Sequence, residues 1–270
     1  MDLIGLKEDF MFKKMLISLL SVCTMFSFVG CTNNAQTTYE KVKAKKELTF
    51  AMTGQYPPFN YINESGQLVG FDIDIANAIA AKMGVTAKPE TIAWDGIITG
   101  LTGKRFDLII GSMAITEERL EKVNFSNPYY YDGAQLFVMQ DSKISDINEL
   151  TDAKVGVVTG TTFHSFLSEN YPDLEILQFE SDVDNLRAHK QGRMDALVTG
   201  KFVGLSAPSK YDIDIRVAGP LLYAEEIGIA IRKEDTELLN AVNTALQDVI
   251  DDGTYETISK KWFNTNILEK

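Results

Sequence analysis

From Leu48 onward, short apolar runs alternate with stretches whose apolar residues recur at helical spacing, a pattern that predicts βαβ units and a mostly parallel sheet. Leu48 to Met52 reads as a strand, closed by Gly54 and Pro57-Pro58, and Gly66 marks a hairpin-like turn. Ile73, Ala76, Ile79, Ala80 and Met83 share one helical face, with Asp72 expected as the N-cap and Gly84 as the stop. Asp72 and Asp74 are read as a cap and an exposed first-turn acid, not as metal ligands. A helix near 95–102 leads to a strand at 106–110 and a turn at 111–113. The pattern then restarts. A strand at 154–158 enters a helix with Phe163, Phe166 and Leu167 inward, and a strand at 174–179 precedes a helix from about Asp182 to Gly192. The apolar run Ala196 to Val198 stops at Thr199-Gly200 before a new element begins at Lys201. A strand at 227–231 and two helices, about 236–251 and 254–263, complete the chain.

The N-terminus has a different pattern. Lys13-Lys14 precede an uncharged stretch, 15–29, that has the form of a secretory signal and is short for a membrane span. Val29-Gly30-Cys31 resembles the bacterial lipobox, whose cysteine is lipidated and becomes the mature N-terminus, although Phe28 stands where Leu is usual. Asp2, Glu8 and Asp9 are unusual ahead of a signal, so Met11 competes with Met1 as the start. A cleaved, unanchored secreted protein is the alternative. The polar stretch from Thr32 to Lys46 is expected to be a flexible tether.

With 270 residues, the chain has room for a large core, and its 45% hydrophobic and 24% charged residues are ordinary for a globular protein. A net charge of −12 argues against nucleic acid and anionic membrane surfaces as partners. Cys23 falls in the signal and Cys31 at the proposed anchor, so no cysteine remains for a disulfide or a thiolate metal site. His164 opens a helix and His189 is expected on a polar helix face; no His, Cys or carboxylate spacing suits zinc or iron, and no cofactor is implied. The sequence has no nucleophile elbow and no phosphate-binding glycine loop. Two strand ends offer polar groups instead. Gly111 to Arg119 combines backbone N–H groups, hydroxyls and one arginine, a fork suited to a carboxylate, although an exposed ion pair is the plainer fate of such an arginine. Thr159 to Thr162 presents N–H groups and hydroxyls at a helix start.

Taken together, several segments resemble the extracellular solute-binding protein family 3. They are Gly54-x-Tyr56-Pro57-Pro58-Phe59, Gly70 to Ala76, Trp94-Asp95-Gly96, Gly111 to Arg119 with Val123 to Tyr129, Gly192 to Ala196, and Asp252 to Tyr255 with Lys261-Trp262-Phe263. The resemblance spans about residues 47–265. It implies an α/β, two-lobed periplasmic-binding-protein fold (type 2), each lobe a mostly parallel sheet flanked by helices. Lobe one would hold 47–131 plus 226–270 and lobe two 132–225, after a signal peptide (1–30) and a lipid-anchored linker (31–46). Asp132-Gly133 and Glu225-Glu226 would be the hinge crossings. The function implied is that of a lipid-anchored, extracytoplasmic receptor of an ABC importer that closes on an amino acid or related carboxylate and is not an enzyme. Its partners would be the permease subunits and, through lipid on Cys31 alone, the membrane; it would act as a monomer.

Carried onto this sequence, the resemblance makes Tyr56 and Trp94 aromatic walls of the site and Arg119 the clamp on the ligand's carboxylate. Gly111, Ser112, Ala114, Thr161 and Thr162 would assist it, through backbone N–H groups near Ser112 and Ala114. Ala114 lacks the hydroxyl that many relatives carry there. Thr53 matches a position that is acidic in some relatives binding basic ligands, which argues against lysine or arginine. Gly200 occupies the position where the family commonly has an aspartate for the ligand's α-ammonium. Three explanations follow: an altered ligand, another acid serving in its place, or drifted function. Glu225 and Glu226 are acids near the hinge, and an aspartate restored at position 200 is expected to raise affinity for common amino acids. A dehydratase on the same fold and a sensory ligand-binding module are the alternative functions.

Overall fold

The computed structural model describes residues 36–269; the signal-like segment and Cys31 lie outside the described residues. Helix α1 (Thr38–Lys45) occupies sequence expected to be tether. Thr37 and Glu40 close a reciprocal capping box, and Val42, 2% exposed, fixes the helix to the core. The Thr37 hydroxyl donates to Glu237 at 2.8 Å and the Lys43 ammonium to the Met83 carbonyl at 2.6 Å. The flexible-tether expectation therefore fails from Thr37 to Lys46, because one buried valine and two caps hold an otherwise polar segment in place.

Strand β1 (Glu47–Met52) is followed by the short strands β2 (Gln55–Tyr56), β3 (Asn60–Ile62) and β4 (Leu68–Val69), which form a small sheet of their own. Helix α2 (Phe71–Lys82) begins two residues earlier than expected, with Gly70 at the cap position and Asp72 inside the first turn. Gly70 has φ +141°, and a Cβ there would lie 2.0 Å from the Phe59 carbonyl oxygen, so only glycine fits. Strand β5 (Thr86–Thr91) and a 3₁₀ turn at Trp94–Gly96 lead into α3 (Ile97–Thr102), β6 (Leu108–Ala114), α4 (Glu117–Lys122) and β7 (Val123–Phe125). After β8 (Tyr130–Met139) come β9 (Lys154–Val158), α5 (Thr162–Asn170), β10 (Glu175–Phe179), α6 (Asp182–Lys190), β11 (Ala196–Gly200), α7 (Lys201–Tyr211) and β12 (Ile215–Val217). Strand β13 (Tyr223–Arg232) and helices α8 (Thr236–Asp251) and α9 (Thr254–Phe263) close the fold.

The main sheet runs β10-β9-β11-β8-β13-β6-β1-β5, with β12 beside β8 and β7 beside β13. The strands at each end, β10-β9-β11 and β6-β1-β5, are parallel and their central members are apolar, as befits strands covered on both faces. Strands β8 and β13 are long, antiparallel, and shared. The first half of β8 pairs with β13, and its second half pairs with β11 and β12. The second half of β13 turns to β6 and β7. Two strands thus join the two ends of the sheet, and the lining of the cleft described below comes from both ends. His189, expected on a polar face, is fully buried because α6 turns Asn185, Leu186 and His189 inward; burial lowers its pKa.

Candidate functional site

Helix α4 starts at Thr116, whose hydroxyl accepts the Arg119 backbone N–H at 3.2 Å. This places the Arg119 side chain beneath the end of β6, where its Nη1 donates to the Ala114 carbonyl at 2.8 Å. The guanidinium lies over the Trp94 ring, 5.4 Å from its centre. Burial lowers the Arg119 pKa, while the charges of Glu225 and Glu118 oppose that shift. The Trp94 indole N–H reaches across to the Gly160 carbonyl at 3.1 Å, so one hydrogen bond links the two ends of the sheet over the cleft. Tyr56 enters from the other side, stacked on Phe59 with ring centres 5.4 Å apart.

These groups face one cavity of about 270 Å³, room for an amino acid. Nine of the ten residues singled out for binding in the sequence line it: Thr53, Tyr56, Trp94, Gly111, Ser112, Ala114, Arg119, Thr161 and Thr162. Several are already engaged. The Ser112 N–H donates to the Tyr129 hydroxyl at 3.0 Å and its Oγ to Asp72 at 2.9 Å, so the N–H expected to serve the ligand there belongs to the scaffold. Thr161 caps α5, accepting the His164 N–H and donating to Val158. Thr53 donates to the Asn60 side chain at 3.2 Å.

Gly200 is the exception, buried at the end of β11. A Cβ on it would stand 2.5 Å from the Tyr56 hydroxyl and 2.8 Å from Asp132 Oδ2. Its φ of −58° suits any residue, so what a side chain here would meet is crowding by two side-chain tips and not backbone strain. An aspartate at 200 would therefore have to displace the tips of the Tyr56 and Asp132 side chains.

Among the described residues, no group of His, Cys, Asp and Glu is placed to hold a metal ion, and no helix is long and apolar enough to cross a membrane. The sequence profile of the bacterial extracellular solute-binding proteins, family 3, matches residues 48–265. This chain belongs to that family. Among curated family 3 relatives, the L-cystine-binding protein TcyJ of Escherichia coli (strain K12) is 32% identical over 231 residues, 85% of this chain and 87% of that protein. Among solved structures, a P235GK mutant of ArgBP from T. maritima matches with a TM-score of 0.79 at 34% identity, covering 84% of this chain and all but 1% of that one (99%). An ancestral amino acid-binding protein described as a precursor of cyclohexadienyl dehydratase, AncCDT-1, matches at a TM-score of 0.78 and 35% identity, covering 84% of this chain and 100% of that one. These likenesses bear out the two-lobed α/β fold. The curated relatives are named for amino-acid binding and transport, not for catalysis, and this family 3 chain is a binding protein of that class.

Of the acids in this family 3 cleft, sequence reasoning named Glu225 as a hinge acid and missed the other three as cavity-lining groups. Asp132, Asp182, Glu180 and Glu225 line the cavity with a single arginine, Arg119. Asp182, at the start of α6, accepts a hydrogen bond from Thr199, and burial raises its pKa to about 6. Asp132 and Glu225 are direct partners in the β8–β13 ladder, so both carboxyls rise from the joining strands on one face. The available signal was Asp132 itself, an acid inside the otherwise neutral run of β8. Glu226, the other acid near the hinge, is exposed and does not line the cavity.

Proposed function

We propose that this chain is the lipid-anchored receptor of an ABC importer and that it closes on an amino acid in the cleft. The carrying observation is the cavity between the two ends of the sheet, with Arg119 facing carboxyls on the joining strands. On this reading, lobe one is 47–131 plus 226–270 and lobe two is 132–225, with Asp132-Gly133 and Glu225-Glu226 as hinge. Arg119 grips the ligand's carboxylate by its planar fork, and Trp94 and Tyr56 flank the side chain. Contacts from both lobes favour the closed state, which the permease subunits recognise. Lipid on Cys31 holds the monomeric protein outside the cytoplasmic membrane.

The acids change the expected ligand. Four carboxyls and one arginine favour a ligand carrying positive charge, and they outweigh the argument from Thr53 against basic side chains. Among relatives, names include an L-cystine-binding protein and an L-arginine-binding protein of Pseudomonas aeruginosa, both consistent with an amino acid here. The test is a thermal-shift panel of the twenty amino acids with L-cystine and L-ornithine, followed by calorimetry on the tightest binder. Arg119→Ala should abolish its binding; undiminished affinity would remove the clamp assignment.

A further inference from the structure

We propose that the carboxylate of Asp132, on the hinge strand β8, is the acceptor for the ligand's α-ammonium group, and that Gly200 is glycine to make room for it. The proposal rests on the amino-acid reading above and names the residue responsible for one half of that recognition.

Four observations carry it. Asp132 is 8% exposed, yet its Oδ1 has no hydrogen-bond partner among the described residues while lining the cavity. A buried acceptor left open in a native fold marks a place that something else fills. Second, the other oxygen, Oδ2, occupies the volume that any side chain at position 200 would claim, 2.8 Å from the Cβ position. The backbone N–H groups of Gly133 and Phe202 favour the charged form of Asp132, so the carboxyl also reaches the start of α7, which has no side-chain cap of its own at Gly200. Third, Glu225 stands directly opposite Asp132 in the ladder, and its Oε1 likewise lacks a partner among the described residues. Two carboxyls facing each other across antiparallel strands repel, and a cation placed between or beside them removes that cost. Fourth, Glu225 acts electrostatically on Arg119 as well as on Asp132, so the positive clamp and the acidic pair form one series along the cleft. An amino acid with its carboxylate on Arg119 meets this series with its ammonium toward Asp132.

Placing the ammonium site on the hinge has a consequence of its own. A ligand that neutralises the Asp132–Glu225 pair acts on the strands that must bend, so ligand charge and closure are coupled at one point.

The experiment compares the tightest-binding amino acid of the panel with its deaminated counterpart, for example L-arginine with 5-guanidinopentanoic acid, on wild type and on Asp132→Asn. Wild type should prefer the amino acid by roughly 30-fold to several thousand-fold, and Asp132→Asn should erase most of that preference by weakening the amino acid alone. A preference that survives in Asp132→Asn overturns the proposal and leaves the amino-acid reading standing. A wild type that binds no amino acid overturns both. Should Asp132→Asn lose its circular-dichroism melt, Gly200→Ala supplies the same information, because its methyl displaces Oδ2 without touching the clamp; unchanged discrimination there also overturns the proposal.

Discussion

Asp72, behind the cavity wall at Ser112, and Asp132, on that wall, are both buried aspartates, and they are held in opposite ways. Asp72, fully buried, accepts hydrogen bonds from Asn60 at 2.7 Å, Tyr129 at 2.7 Å and Ser112 at 2.9 Å. Burial raises its pKa to about 6, and those three donors limit the rise. Asp132 has an open oxygen and an acid for a cross-strand neighbour, and burial raises its pKa to about 8. The difference separates scaffold from site. A buried acid whose donors are all internal holds segments together; one with an oxygen left open is complementary to a group that arrives from outside.

Substitution at the two positions should therefore give crossed results. Asp132→Asn should cost affinity by the factor stated above while leaving the denaturation midpoint unchanged or raised, since it removes a buried acid with one open oxygen and keeps an acceptor for the Gly133 and Phe202 N–H groups. Asp72→Asn should cost roughly 2–4 kcal/mol of stability in urea titrations, because an amide turns a donor toward groups that are themselves donors. Equal stability losses at both sites would break the comparison. Gly200→Ala comes next. Its methyl meets the Tyr56 hydroxyl and Asp132 Oδ2 at 2.5 and 2.8 Å, and about 1–3 kcal/mol of strain is expected in the wild-type background, less when Asp132→Gly is also present. Additive effects in that double-mutant cycle would show that the two positions do not share one volume.

Acidity gives the smallest and most graded test. A carboxyl with its folded pKa raised above the ordinary 3.8 keeps a proton that the unfolded chain has lost, so the stability it contributes is full below about pH 4 and is lost as pH rises. For Asp72 and Asp182 the loss runs up to about pH 6, and for Asp132 up to about pH 8. The groups facing Asp132 are Glu225, Tyr56, Tyr130 and Lys201; Glu225 is itself raised by burial, and Lys201 opposes the rise in Asp132. The ligand-free protein should melt lower at pH 8 than at pH 5, and amino-acid affinity should increase over the same interval as Asp132 ionises. Asp132→Asn should flatten the upper part of both profiles in scanning fluorimetry and calorimetry.

Much of this fold was legible because its signals are local. The helices predicted at about 236–251 and 254–263 are found at Thr236–Asp251 and Thr254–Phe263, each with a strong apolar face and a polar one. Cavity-lining residues at strand ends were legible for the same reason, since their neighbours in sequence carry the pattern. The acids were not. Asp132 meets Glu225 only because two strands 93 positions apart in sequence pair in one register, and Asp72 meets Tyr129 and Ser112 across 57 and 40 positions. Helix α1 was hidden for a different reason, as a single buried valine leaves no periodicity to read.

That first helix also sets a length. If Cys31 carries the lipid, the leash between membrane and folded body ends at Thr37, where the capping box begins, and not at Glu47. Six residues fully stretched span only about 20 Å, against about 55 Å for sixteen. On that condition the folded body would travel with its anchor and present the cleft from near the bilayer, with no long leash to swing it outward.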